Sequence, residues 1–225
     1  MSEIIKSKAD YAAIYDAEYY SGKKSFFYKF SGGYRDYRSY FDRLAHWFAP
    51  YMKAGVLLDC GCAYGFMLKR YEGQYTLRGC DISDHALEQA RQLVPSAELH
   101  KVFLGQDKFP WADGSVDTII TNDVVEHLNA DDIGPALDDF ARVLKRGGRL
   151  CITTPNGNWI RKLFYRVADR MEHHIGLRHM DAWTALLQQH GFKIVTTWTY
   201  FHGLFPFRMR GNWFFAEAAI VAEKL

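Results

Sequence analysis

From residue 56 onward, short apolar runs alternate with longer stretches in which apolar residues return every three or four positions. The runs at residues 56–59, about 75–81, about 98–103, 116–121, 149–153, 192–200 and 213–221 have the length and flanking residues of buried strands. Between them, Leu87, Ala90 and Val94 share one face of a helix that Ser83 caps. Ile133, Leu137, Phe140, Ala141 and Leu144 share one face of a helix over residues 131–144, which ends at Lys145-Arg146-Gly147-Gly148. A helix over residues 64–71 follows the first strand, and a last helix, capped by Asp181 and stopped by Gly191, carries Trp183, Leu186, Leu187 and His190. Gly203, Pro206 and Gly211 mark the loop between the final two strands. This alternation predicts an α/β fold built on a doubly wound, mostly parallel sheet of seven strands.

Two segments stand apart from the alternation. The first 51 residues hold 15 of the chain's 36 aromatic residues, interrupted by Gly22, Gly32 and Gly33. Such crowding predicts an aromatic-rich helical cap over residues 1–50 in front of a domain at residues 51–225, the two forming one structural unit. Residues 159–170 read as a basic amphipathic helix, with three uses open to it: a lid, contact with a membrane surface, or plain packing on the domain.

Composition narrows the class. At 225 residues and 48% hydrophobic, the chain can bury a full core without disulfides or metal staples. A net charge of +2 makes no electrostatic case for a nucleic-acid partner. The first residues lack the apolar core of a signal peptide, and no stretch approaches the ~20 apolar residues of a membrane span, so a cytoplasmic protein is expected. The four cysteines lack the spacing of a zinc site and read as buried reduced thiols.

The chemistry concentrates in one stretch. Leu57-Leu58-Asp59-Cys60-Gly61-Cys62-Ala63-Tyr64-Gly65 runs from an apolar strand into a glycine-rich turn, and Asp81 follows 20 positions after Gly61. That spacing describes the first β-α-β unit of a nucleoside-binding sheet. A dinucleotide would place a pyrophosphate at the helix N-terminus and usually needs G-x-G-x-x-G. Here no third glycine is in register, and Asp59 stands where its carboxylate would repel a phosphate. The same carboxylate suits a phosphate-free ligand with positive charge, such as S-adenosylmethionine. The stretch resembles motif I of the class I S-adenosylmethionine-dependent methyltransferases, an apolar run followed by D-x-G-x-G-x-G, with Ala63 in place of the middle glycine. Residues 109–117 and 143–150 are similar to that family's links into its fourth and fifth strands, so the resemblance covers roughly residues 44–225. It implies a Rossmann-like sheet with an antiparallel last strand, S-adenosylmethionine as cofactor, S-adenosylhomocysteine as product and a small-molecule acceptor.

The resemblance also assigns roles. Asp59, Gly61, Cys62, Ala63 and Gly65 would form the cofactor turn, Asp81 would accept the ribose hydroxyls, and Ile82 would pack on the adenine. Gln106 and Asp107 would hydrogen-bond the adenine, although Asp107 stands about two residues later than the family's acid, whose place Gly105 takes. Asn122 and Asp123, at the end of the fourth strand, would face the cofactor ammonium. His127 and His174 are candidate general bases, because imidazole can take a proton from a hydroxyl near neutral pH. Tyr28, Tyr37 and His173 are candidates for the acceptor pocket.

The expected reaction is methyl transfer to an oxygen or nitrogen of a sugar, phenol, quinone precursor or natural product. Nothing resembles the Asn-Pro-Pro-Tyr loop of enzymes that methylate nucleic-acid bases. One alternative is metal-assisted O-methyl transfer. Asp123, Glu126 and His127 would share a helix face at i, i+3 and i+4, with His173, His174 or His179 as a later ligand. The principal reading uses no metal. A second alternative is a catalytically idle nucleoside-binding protein of the same fold. An NAD-dependent oxidoreductase fits poorly, because no Tyr-x-x-x-Lys pair follows the fifth strand.

Overall fold

The computed structural model describes residues 7–201, 207–210 and 215–225. The chain begins with four helices, α1 (Lys8–Ile14), α2 (Ala17–Tyr20), α3 (Phe26–Ser31) and α4 (Arg38–Phe48). The alternating part runs β1 (Val56–Cys60), α5 (Phe66–Lys69), β2 (Thr76–Asp81), α6 (Asp84–Leu93), β3 (Glu98–Lys101), β4 (Val116–Asn122), α7 (Ala130–Val143) and β5 (Leu144–Pro155). An insertion, α8 (Trp159–Phe164) and α9 (Arg166–Met171), precedes α10 (Met180–Gln189), β6 (Phe192–Tyr200), β7 (Arg208–Met209) and β8 (Glu217–Lys224).

All the strands join one sheet in the order β3-β2-β1-β4-β5-β8-β6-β7. Neighbours from β3 to β5 are parallel, and β8 runs antiparallel between β5 and β6. The seven expected strands are therefore present with an antiparallel last one. An eighth, the two-residue β7, pairs with the end of β6 inside the segment expected to be loop. The last strand is shifted from the expected 213–221 to Glu217–Lys224; the expected loop residues Gly203, Pro206 and Gly211 lie outside the described residues. Because β1 lies between β2 and β4, the winding reverses there, and a crevice opens at the carboxyl ends of these strands.

Each sheet face is sealed by apolar packing. On one face Leu58, Ile119, Leu150 and Ile220 meet Leu137 and Phe140 of α7 and Trp183 and Leu187 of α10. On the other, Leu57, Ile120 and Val221 meet Leu87 of α6 and Leu44 and Phe48 of α4, both fully buried. The aromatic-rich N-terminal segment thus divides. Its α4 is part of the core, whereas tyrosines of α1 and α2 form a separate cluster with Ala86, Phe103, Ala63 and Ile82 above the crevice.

Local expectations met three corrections. Residues 144–148, expected as the end and stop of α7, already belong to β5. Ser83 caps α6 as expected, accepting from the Ala86 N–H. The N-cap of α10, however, is His179, whose backbone is extended and whose Nδ1 accepts the Asp181 N–H; Asp181 sits in the first turn, where its charge complements the helix dipole. Residues 159–170 are not one helix but two, broken at Tyr165 (φ −112°, ψ 4°). A continuous helix would hold Arg161 and Asp169 about 12 Å apart along its axis. The break lets the buried guanidinium bond the carboxylate, at 2.6 Å for its shortest contact.

The loop after β3 presses on α7. Gly105 has φ +85°, and a Cβ there would lie 2.1 Å from the Asp132 carbonyl oxygen. An acidic side chain at this position is therefore sterically barred, which accounts for the missing family acid. Gly73 shares the left-handed backbone (φ +77°) but faces open space. Gly105→Ala should destabilise by about 2–4 kcal/mol, combining left-handed strain with overpacking, and Gly73→Ala by only about 1–2 kcal/mol. Denaturant midpoints check this; equal losses in the two variants would refute the contact.

Candidate active site

The turn after β1 is shaped by backbone geometry. The Gly61 and Cys62 N–H groups donate to the Cys80 carbonyl at 2.8 and 3.0 Å, tying the turn to the end of β2. Gly61, Ala63 and Gly65 all have positive φ (77°, 46° and 79°), so the alternate glycines of the motif mark left-handed positions, one of which Ala63 occupies under strain. A Cβ on Gly61 would fall 2.3 Å from Val124, whereas one on Gly65 would meet Ala90 of α6 and Val94, which follows it. Gly61 thus keeps the crevice open, and Gly65 allows close packing of α5 on α6.

A cavity of about 670 Å³ lies over this crevice. Asp59, Gly61, Cys62, Ala63, Asp81 and Ile82 form its floor, Val102, Phe103 and Leu104 one wall, and Asn122, Asp123, Glu126 and His127 another. Tyr11, Tyr15, Tyr19, Tyr20, Tyr28, Tyr34, Tyr37 and Tyr40 roof it. His174 also reaches the lining; Gly65, Gln106, Asp107 and His173 do not. Asp107 instead accepts from the Phe103 N–H and pairs with Lys8, and Gln106 donates to Asp132 at 3.0 Å. The wall beside Ile82 is built from residues 102–104, which no spacing in the sequence had singled out.

The floor is acidic. Asp59 is 2% exposed, and its carboxyl makes no hydrogen bond among the described residues. Burial, and then the neighbouring Asp81, push its pKa up to about 8. Asp81 accepts the Ala63 and Ser83 N–H groups, both at 2.9 Å, one on each oxygen, while burial raises its pKa. Each of its oxygens retains a lone pair for a ligand hydroxyl. Asp123 has φ 53° and accepts from the Tyr40 hydroxyl at 2.7 Å and the Thr153 hydroxyl at 3.2 Å.

Deeper in, the insertion meets the loop after β4. Glu126 is fully buried; Thr154 donates to Oε2 at 3.1 Å, and Oε1 has no partner among the described residues. Burial and then the charge of Asp123 push its pKa well above the ordinary carboxylate range. The His127 ring shares a 2.8 Å hydrogen bond at Nδ1 with the Tyr15 hydroxyl, and burial, followed by the nearby His174, holds its pKa well below the usual value. His174 bonds Asp169 at 2.8 Å through Nδ1. One ligand atom from each of Glu126, His127 and His174 can be brought within 4.8 Å of the others. Asp123, His173 and His179 are not in this group. The left-handed Asp123 ends β4, only residues 125–127 form a turn of helix, and His179 caps α10.

Sequence reasoning missed several residues here. Arg161, 1% exposed, bonds Asp169 and, at 2.7 Å, Glu217, whose own pKa burial nevertheless raises to about 8. Glu172 accepts from the Tyr19 hydroxyl, the Ser25 hydroxyl and the Phe27 N–H at 3.0, 2.8 and 3.0 Å, joining the N-terminal helices to the insertion. The only sequence signal for Glu172 was its place beside His173 and His174.

Residues 58–152 match a family described as a methyltransferase domain. A probable S-adenosylmethionine-dependent methyltransferase of Mycolicibacterium smegmatis is 29% identical over 76% of this chain and 63% of its own length. One from Mycobacterium tuberculosis is 30% identical over 69% of this chain and 55% of its own. The chain thus spans less than two thirds of these curated relatives. A solved structure from Thermotoga maritima, described as a possible histamine N-methyltransferase, is similar in fold (TM-score 0.70, 16% identity, covering 92% of this chain and 99% of that one). A Haemonchus contortus phosphoethanolamine N-methyltransferase, solved with S-adenosylhomocysteine, has a TM-score of 0.62 at 17% identity, covering 85% of this chain and 47% of that one. Residues 58–152, which hold the Asp59–Gly65 turn and Asp81, thus match a methyltransferase domain, and the chain is similar in sequence and fold to S-adenosylmethionine-dependent methyltransferases.

Proposed function

We propose that this chain transfers a methyl group from S-adenosylmethionine to an oxygen or nitrogen of a small-molecule acceptor. The observation that carries the reading is Asp59, a buried carboxylate without a hydrogen bond at the floor of the cavity. Such a group is stabilised by a ligand cation and destabilised by a phosphate, which favours a sulfonium-bearing nucleoside over a dinucleotide. When bound, the cofactor supplies a methyl group activated by positive sulfur. Asp59, with Asn122 and Asp123, would hold its cationic end; Asp81 would take the ribose; Ile82 and residues 102–104 would flank the adenine. Gln106 and Asp107 would act on the shape of that wall, not on the base itself. Helices α1–α3 serve as the cap, with Tyr28 and Tyr37 on the acceptor side. Their rings exclude water and fix the acceptor, and such positioning is worth up to about 7–11 kcal/mol in favourable systems.

Ionisation links Asp59 to binding. In the unliganded chain its raised pKa makes its contribution to stability greatest below the unfolded carboxylate value and lost as pH rises through about 8. A cationic ligand needs the carboxylate ionised, so binding below that pH releases a proton. Affinity for S-adenosylmethionine should therefore fall as pH drops below 8, by up to about tenfold per unit. Asp59→Asn should bind more weakly and without proton release. Calorimetry in buffers of different ionisation enthalpy measures both, and pH-independent affinity in the unsubstituted protein would contradict the role.

His127 is the proposed general base for a hydroxyl acceptor, since burial keeps its ring neutral near pH 7. A second reading is favoured by one observation, the unpartnered Glu126 Oε1 beside His127 and His174. An imidazole and carboxylate set of this kind suits a divalent transition ion, which would help hold the acceptor. Once a one-methyl mass shift identifies an acceptor, a single experiment separates the two. The base reading expects His127→Ala to lower turnover about 10²–10⁴-fold with no effect of EDTA. Loss of activity in EDTA, restored by manganese in the unsubstituted protein but not in Glu126→Gln, would carry the metal reading. Full turnover across pH in both His127→Ala and His174→Ala would remove the base.

A further inference from the structure

The insertion after β5 is amphipathic with its polarity reversed. Apart from Ala168, the side chains its two helices bury are polar: Arg161 and Asp169 pair with each other and with Glu217 and His174 beneath the helices. Its large apolar side chains point mostly outward, with Trp159, Leu163, Phe164 and Val167 exposed at 65, 65, 72 and 69%. Scattered surface leucines need no explanation, but four large apolar side chains within nine residues form a patch. The charges beside them have one sign. Lys162, Arg166 and Arg170 are exposed and have no ion pair among the described residues, while the segment's acids, Asp169 and Glu172, are buried. α3 packs on α9 and adds exposed Phe27 and Phe30 with Lys29 between them in sequence. The same helices supply Phe27, Arg161 and Tyr165 to the cavity lining, so the bare face borders the cavity.

We propose that the α8–α9 face, with α3 beside it, docks on the surface of an anionic phospholipid bilayer. A tryptophan and a phenylalanine at the headgroup level, apolar aliphatics below them and unpaired lysine and arginine around them are what such an interface takes. Each basic residue near an anionic leaflet contributes about 1 kcal/mol. The exposed face offers no acidic group to a basic partner, and no helix among the described residues is long and apolar enough to cross a membrane, so contact is with the surface.

Flotation of the full chain with vesicles tests this without any acceptor or cofactor. The protein should float with phosphatidylcholine vesicles containing phosphatidylglycerol, not with phosphatidylcholine alone, and less as salt rises. The double variants Trp159→Ser/Phe164→Ser and Lys162→Glu/Arg166→Glu should each lower the bound fraction at least about tenfold. Their melting temperatures should be unchanged, since all four side chains are exposed. No flotation with anionic vesicles, or equal flotation in both variants, overturns the proposal. Self-association that Trp159→Ser/Phe164→Ser abolishes, with no flotation, also overturns it and assigns the face to a second copy of the chain.

Discussion

A carboxylate buried without a partner costs stability, and Asp59 is placed at the floor of the cavity over the crevice, where in the proposed function a cationic ligand would recover that cost. β1 is flanked on both sides by parallel strands, its side chains are sealed by α4 and α7, and its last residues are delivered to the crevice where the winding reverses. The rest of the site follows from that placement. Gly61 turns the chain away so that no Cβ meets Val124; Ala63, in a left-handed conformation, lends its N–H to Asp81; and the tyrosine roof closes over two acids that repel each other. An empty site of this kind favours protonation, and a cationic nucleoside favours ionisation, so ligand charge and fold are coupled through one side chain.

Much of this was legible in residue order because its causes are local. The apolar run before Asp59, the glycines at left-handed positions and the 20-residue interval to Asp81 are all consequences of one strand-turn-helix-strand unit, and the sheet followed from strand and helix periods. What escaped were consequences of long-range packing. Gly105 stands where the resemblance implies an acid, and the Asp132 carbonyl leaves no room for one, a contact across 27 positions of sequence. The helix over residues 159–170 breaks at Tyr165 because Arg161 and Asp169 must meet, and periodicity alone favours a continuous rod. Asp181 lost the cap of α10 to His179, since an imidazole nitrogen is a cap that propensity ranks poorly.

The tyrosine-rich lead and the insertion, distant in sequence, meet at Glu172. Three donors from α2, its following loop and α3 converge on this one carboxylate, while His127, in the loop after β4, receives Tyr15 from α1. The roof is thereby tied to the wall that carries the deep carboxylate and imidazoles. In the proposed function the junction would shape the acceptor side, and the floor would take the cofactor. The floor lies within residues 58–152, which match the methyltransferase domain family, whereas the roof and the insertion lie outside that match.

Calorimetric titration of the purified chain with S-adenosylhomocysteine, with NAD in parallel, tests the central claim most directly. Saturable binding of the first at one site per chain, with none of the second, is the predicted result. Equal binding of NAD, or no binding of S-adenosylhomocysteine by a folded chain, would contradict the assignment of the Asp59 crevice to a phosphate-free nucleoside.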